Sequence, residues 1–133
     1  VGRRLILDTN VLIAYERGTI DRLALDGDDL AVAAVTVAEY RSGIELADSA
    51  ERAAARSRAL AAITSVIEVL DYTATTAVHH ARLIADVRRA GAPRGAHDLI
   101  IAAHALETGR VVLSRDAKAR FAGLSGVVAD TPA

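Results

Sequence analysis

The sequence predicts an α/β domain, a mainly parallel sheet with helices on both faces. Three observations carry that expectation. Five short apolar runs, at 4–7, 29–35, 65–72, 110–114 and 126–130, are separated by segments of helical length and pattern. Strands that alternate with helices are joined by crossovers, and crossovers make parallel sheets. The chain has 133 residues, 52% of them hydrophobic, so residues 1–133 are read as one domain able to bury its own core. Aromatics are only 3%, which leaves the core to Leu, Ile, Val and Ala.

Each element has a local reason. "RLIL" (4–7) is a strand by its apolar run. "NVLIAYERG" (10–18) is a helix that Thr9 or Asn10 can cap and Gly18 ends. A short helix (20–25) leads to the strand "DLAVAAV" (29–35), and Thr36 is the expected cap of a helix over 37–47. Ser49 is the expected cap of the Ala-rich helix 50–63, and "SVIEVLDY" (65–72) is a strand. The long helix 73–91 carries basic residues in its last turn, which suits its dipole. After the loop "APRG" (92–95), "HDLIIAAHALETG" (97–109) is a nearly all-apolar and therefore central helix, stopped by Gly109. "RVVLS" (110–114) is a strand, 116–123 a short helix and "GVVAD" (126–130) the last strand.

Composition excludes several function classes. With no cysteine there is no disulfide framework, zinc-thiolate site or cysteine nucleophile. A net charge of −1 gives no global field for nucleic acid, so any such binding rests on a local patch. Arginine dominates the basic residues, which suits phosphate but equally fits a GC-rich genome. No apolar run is long enough to span a bilayer and no signal peptide is visible, so a cytoplasmic protein with no membrane contact is expected.

Ligands of parallel sheets bind outside the carboxyl ends of the strands. Asp8 ends the first strand and Asp116 follows the fourth. Glu39 and Asp98 lie near the starts of helices entered from that same edge. Four carboxylates are thus expected to converge. They cannot all ionise at close range without compensation, so either some stay protonated or a cation sits among them. With only oxygen donors on offer, that cation is Mg²⁺ or Mn²⁺. The chemistry implied is metal-assisted phosphodiester hydrolysis. Asn10 and Ser114 fit capping or supporting roles. Arg94, Arg115 and Arg41 are candidates for substrate phosphates, or else solvated surface charges.

Each acid also has a plainer reading. Asp8 is a favoured helix cap, Asp98 a first-turn acid and Asp116 a turn residue, and Glu39 can pair with Arg41, Arg56 or Arg58. His79, His80, His97 and His104 are read as surface or core residues without a catalytic role.

"LILDTNVLIA", "VTVAEYRSGIELA", "HDLIIAAHAL" and "LSRDAKARF" occur in the order seen in PIN-domain ribonucleases, and the whole chain resembles the VapC toxins of type II toxin–antitoxin pairs. The resemblance maps the family's four acids onto Asp8, Glu39, Asp98 and Asp116. It implies an endoribonuclease toxin dependent on Mg²⁺ or Mn²⁺. It also implies inhibition by a VapB-type antitoxin, a homodimer, and a heterotetramer or larger assembly with that partner. Rivals are a catalytically silent PIN-like module, a haloacid-dehalogenase-like phosphatase and a phosphorelay receiver. The phosphatase needs a second Asp where Asn10 stands; the receiver needs adjacent acids near the first strand.

Overall fold

The structure is a computed structural model that describes residues 2–132, apart from the side chain of Lys118. Strands β1 (Arg4–Leu7), β2 (Asp29–Ala33), β3 (Glu68–Leu70), β4 (Val111–Leu113) and β5 (Ala129–Asp130) form one sheet in the order β3-β2-β1-β4-β5. Every pairing is parallel, with Ile6 opposite Ala31 on one side and Val112 on the other. The expected fold class is therefore observed.

Successive side chains of a strand point to opposite faces, and this sorts β1 between two cores. Leu5 and Leu7 join Val32 and Leu113 under α1 (Thr9–Arg17) and α3 (Ala50–Thr64), which contribute Val11, Leu12 and Ile63. Ile6 joins Ala31, Ala33 and Val112 under α4 (Ala74–Ala90) and α5 (Ala96–Thr108), which contribute Leu83, Leu99 and Ile101. Leu5, Ile6 and Leu7 are wholly buried, and each such side chain contributes about 1.5–3 kcal/mol. Helix α2 (Ala34–Glu45) leaves β2 without a loop. It packs Val35 on one core and Val37 and Tyr40 on the other.

Several boundaries differ from expectation. Helix α1 starts at Thr9, and its cap is Asp8 rather than Thr9 or Asn10. Helix α2 starts at Ala34, so Thr36 is a buried interior residue and not a cap. The apolar run 29–35 is split between a strand and a first helical turn, with no turn residue to mark the join. The helix expected over 20–25 is a 3-10 turn, Arg22–Leu25. That over 116–123 is two 3-10 turns, broken where Arg120 takes the left-handed conformation (φ 48°, ψ 47°).

The two edges of the sheet differ. At the amino edge Arg110 is buried, and its Nη1 donates to the carbonyls of Leu5 (3.1 Å) and Asp29 (3.0 Å) and to Asp29 Oδ1 (3.1 Å). Its Nη2 reaches Glu68 Oε2 at 3.3 Å, so one side chain ties the first three strands together. At the carboxyl edge the strand order reverses direction between β1 and β4. Such a switch point leaves a crevice where ligands bind in open parallel sheets.

Candidate active site

Asp8 stands at that crevice. Its backbone N–H donates to the Leu113 carbonyl (3.0 Å), which carries the β1–β4 pairing one residue past the strand. Its extended backbone lets the side chain fold over the start of α1, where Oδ1 accepts from the Thr9 N–H at 2.8 Å. Oδ2 accepts from Ser114 Oγ (2.7 Å) and Asn10 Nδ2 (3.3 Å). Asp8 is thus a helix cap and a crevice acid at once. Only 5% of it is exposed. Burial raises its pKa, against the bonds from Ser114 and Thr9, and the charges of Asp116 and Glu39 raise it further.

Ser114 joins the two strand ends. Its hydroxyl donates to Asp8 and accepts from the Asp116 N–H (3.0 Å), placing Asp116 just beyond β4. Asn10 completes the clasp by accepting the Arg115 N–H on Oδ1 at 3.1 Å.

Glu39 comes from α2. Its Oε1 accepts from Thr9 Oγ1 (3.2 Å) and lies 3.1 Å from His97 Nδ1. The alternative pairing with Arg41, Arg56 or Arg58 is not found among the described residues; Arg56 donates to the Gly43 carbonyl. Asp98, half-buried, sits in the first turn of α5. A Cβ on Gly95 would lie 2.9 Å from Asp98 Oδ2, so glycine there leaves the carboxylate its room. Burial raises the Asp98 pKa, followed by the charges of Asp8, Asp116 and Glu39, while His97 opposes them.

The four acids therefore share one electrostatic field. They do not stand as a preformed cage: among the described residues no three acidic or histidine side chains are grouped closely enough to grip an ion. The donor set nonetheless fits a hard divalent cation. It is all oxygen, it holds two acids with raised pKa values, and Gly95 keeps one carboxylate uncrowded.

The arginines divide. Arg94 gives Nη1 to the carbonyls of Ala119 (2.9 Å) and Arg120 (2.6 Å), and Arg115 gives Nη2 to the Thr19 carbonyl (3.0 Å). Arg41 is exposed. Of the histidines, His97 is the site residue the sequence reading left out. The available signal was its place beside Asp98 in a first helical turn. His80 bonds Tyr72 (2.8 Å), and His104 is buried in α5.

Two depressions flank the acids. A groove of about 380 Å³ among α1, α2 and α3 is lined by Ile13, Tyr40, Gly43 and Arg56 and ends at Thr9 and Glu39. A cleft of about 410 Å³ beyond β4 and β5 includes Ser114 and Asp116.

Comparison with known proteins agrees with this architecture. The PIN domain profile matches residues 5–124. A tRNA(fMet)-specific endonuclease VapC of Salmonella typhimurium is 30% identical over 131 residues, covering 93% of this chain and 94% of the relative. Its Shigella flexneri counterpart is 29% identical over 119 residues, covering 86% and 88%. The crystal structure of DNA-bound VapBC from Salmonella typhimurium superposes with a TM-score of 0.85 at 26% identity, covering 97% of this chain and 98% of that one. The chain belongs to the PIN domain family, in its VapC group.

Proposed function

We propose that the chain is a metal-dependent endoribonuclease, the toxin of a toxin–antitoxin pair, acting in the cytoplasm as a single PIN domain over residues 1–133. The observation that carries this is the hydrogen-bonded chain at the β1–β4 switch point, which joins Asp8 to Asp116 through Ser114 and to Glu39 through Thr9, with Asp98 near enough for the charges of all three to bear on it. Asp8, Glu39, Asp98 and Asp116 are the residues that would hold Mg²⁺ or Mn²⁺. A divalent ion there supplies charge for the phosphoryl oxygens and lowers the pKa of a water.

The chain's own groups do the rest. Ser114 and Asn10 fix the orientation of Asp8, and Thr9 and His97 fix Glu39 through Oε1. That leaves Glu39 Oε2 to take a proton from the attacking water. Oxygen of that water adds to phosphorus, the ester P–O bond breaks, and the departing oxygen takes a proton from solvent, to which Glu39 returns the one it accepted. Arg41, which is exposed, is the first candidate for the RNA backbone, and Arg94 and Arg115 are candidates through the guanidinium nitrogens that are not on backbone carbonyls. The names of the relatives point to tRNA as the substrate class.

Solved neighbours such as the VapBC structures from Salmonella typhimurium and Mycobacterium tuberculosis support a VapB-type antitoxin as partner, with a toxin homodimer inside a heterotetramer or larger assembly. The groove that ends at Glu39 is the surface offered to an antitoxin segment. The test is incubation with total RNA and with initiator tRNA, with Mg²⁺ or Mn²⁺ and with a chelator, beside a small phosphate ester. Cleavage of RNA alone, lost with chelator and in Asp8→Asn, is expected. Turnover of the ester, or wild-type activity in Asp8→Asn, would overturn the reading.

A further inference from the structure

Arg120 is the one non-glycine residue with positive φ among the described residues. An L-residue other than glycine is strained there, and such strain persists only where the surroundings impose it. Here Arg94 imposes it: its Nη1 holds the carbonyls of Ala119 and Arg120, and its Nη2 packs close over Gly123, where a Cβ would lie 3.0 Å away. Glycine would occupy position 120 without strain. The backbone therefore gives no reason for arginine, and the reason must lie with the side chain.

That side chain is exposed and lines the cleft beyond β4 and β5, which is continuous with the acids through Ser114 and Asp116. Asp116 and Asp130 line the same cleft, so an anion entering it needs a cation already in place. Arg115, the other described cation there, has Nη2 committed to the Thr19 carbonyl. The Arg120 guanidinium makes no hydrogen bond or ion pair among the described residues.

We propose that this cleft is a phosphodiester-binding subsite, in which Arg120 holds an RNA phosphate flanking the cleaved bond. The proposal rests on the nuclease reading above and extends it to how the strand is gripped. The roles of the arginines then separate: Arg94 sets the backbone, and Arg120 meets the substrate.

The test compares the full-length wild type with Arg120→Gly and Arg120→Lys. Three quantities are read: melting temperature, steady-state cleavage of RNA, and RNA binding in EDTA across a salt series. Arg120→Gly should melt at or above wild type, because glycine removes the strain. Its KM for RNA should rise about tenfold, as for the loss of one charge-assisted phosphate contact. Its slope of log binding constant against log salt should be shallower by about 0.7. Arg120→Lys should keep most of that slope. Wild-type KM and slope in Arg120→Gly would overturn the subsite. So would a fall in melting temperature that Arg120→Lys repairs, since the side chain would then be structural. A wild type that binds RNA through Arg120 yet cuts none with either ion would overturn the nuclease reading while supporting the subsite.

Discussion

Replacing Asp98 with Asn changes one atom of a half-buried side chain and tests the shared acid site directly. Burial and the charges of Asp8, Asp116 and Glu39 all act against the ionised form of Asp98. The sign follows from that direction. A carboxyl with a raised folded-state pKa makes the metal-free protein less stable as pH rises from the unfolded value through the folded one. Asn is free of this cost, so the variant should melt higher than wild type near neutral pH without metal. Loss of a first-turn acid opposes the gain by about 0.3–1 kcal/mol. The metal response is larger. An ion at a hundredfold excess over its dissociation constant stabilises the fold by about 2.7 kcal/mol. At about 2.1 cal/mol/K per residue, 133 residues give an unfolding entropy of about 0.28 kcal/mol/K, so the melting shift is about 10 °C. If losing one ligand weakens binding about a hundredfold, the same ion concentration adds only about 0.4 kcal/mol, or about 1.5 °C. The assay is melting temperature from pH 4 to 8, with and without Mn²⁺, for both proteins. Equal Mn²⁺ shifts would make Asp98 a helix-start acid only and refute the four-carboxylate site.

Asp8→Asn and Asp8→Ala should both abolish cleavage, but only Ala also removes the α1 cap, at a further cost of about 1 kcal/mol in urea titration. Ser114→Ala removes the strongest influence holding the Asp8 pKa down. The acid limb of the pH–rate profile should therefore move to higher pH, and an unmoved limb would separate Ser114 from Asp8 in function. His97→Ala takes one of two polar partners from Glu39 Oε1. It should lower kcat about tenfold with little change in KM or melting temperature, and His97→Asn, which keeps a donor, should recover part of the loss.

What the sequence makes legible is whatever sits next to its own cause. Strand 4–7 and the helix capped by Ser49 stand where the pattern puts them, because an apolar run and a cap residue act within a few positions. Thr36 misleads for the opposite reason: β2 passes into α2 inside one apolar run, and a threonine one turn later looks like a start. The bend at Arg120 has no local signal, since its cause is Arg94 on a distant loop. His97 meets Glu39 only because α5 and α2 approach in space. Arg94 and Arg115 resemble phosphate ligands in sequence, and the backbone carbonyls that each also bonds leave no mark there, because every residue carries one.

The pairing of β1 with β4 has a consequence in time. Asp8 and Ser114 come from strands that are neighbours in the sheet but lie near opposite ends of the chain. Parallel contacts of such long sequence separation form late, because the loop between them must close first. No growing chain holds the proposed site until its fourth strand has been made and has slotted in beside the first. A toxin built this way cannot attack RNA from a half-made state, the RNA of the ribosome producing it included. It becomes dangerous in a single step, when folding finishes, and that is the moment at which a partner has to be at hand.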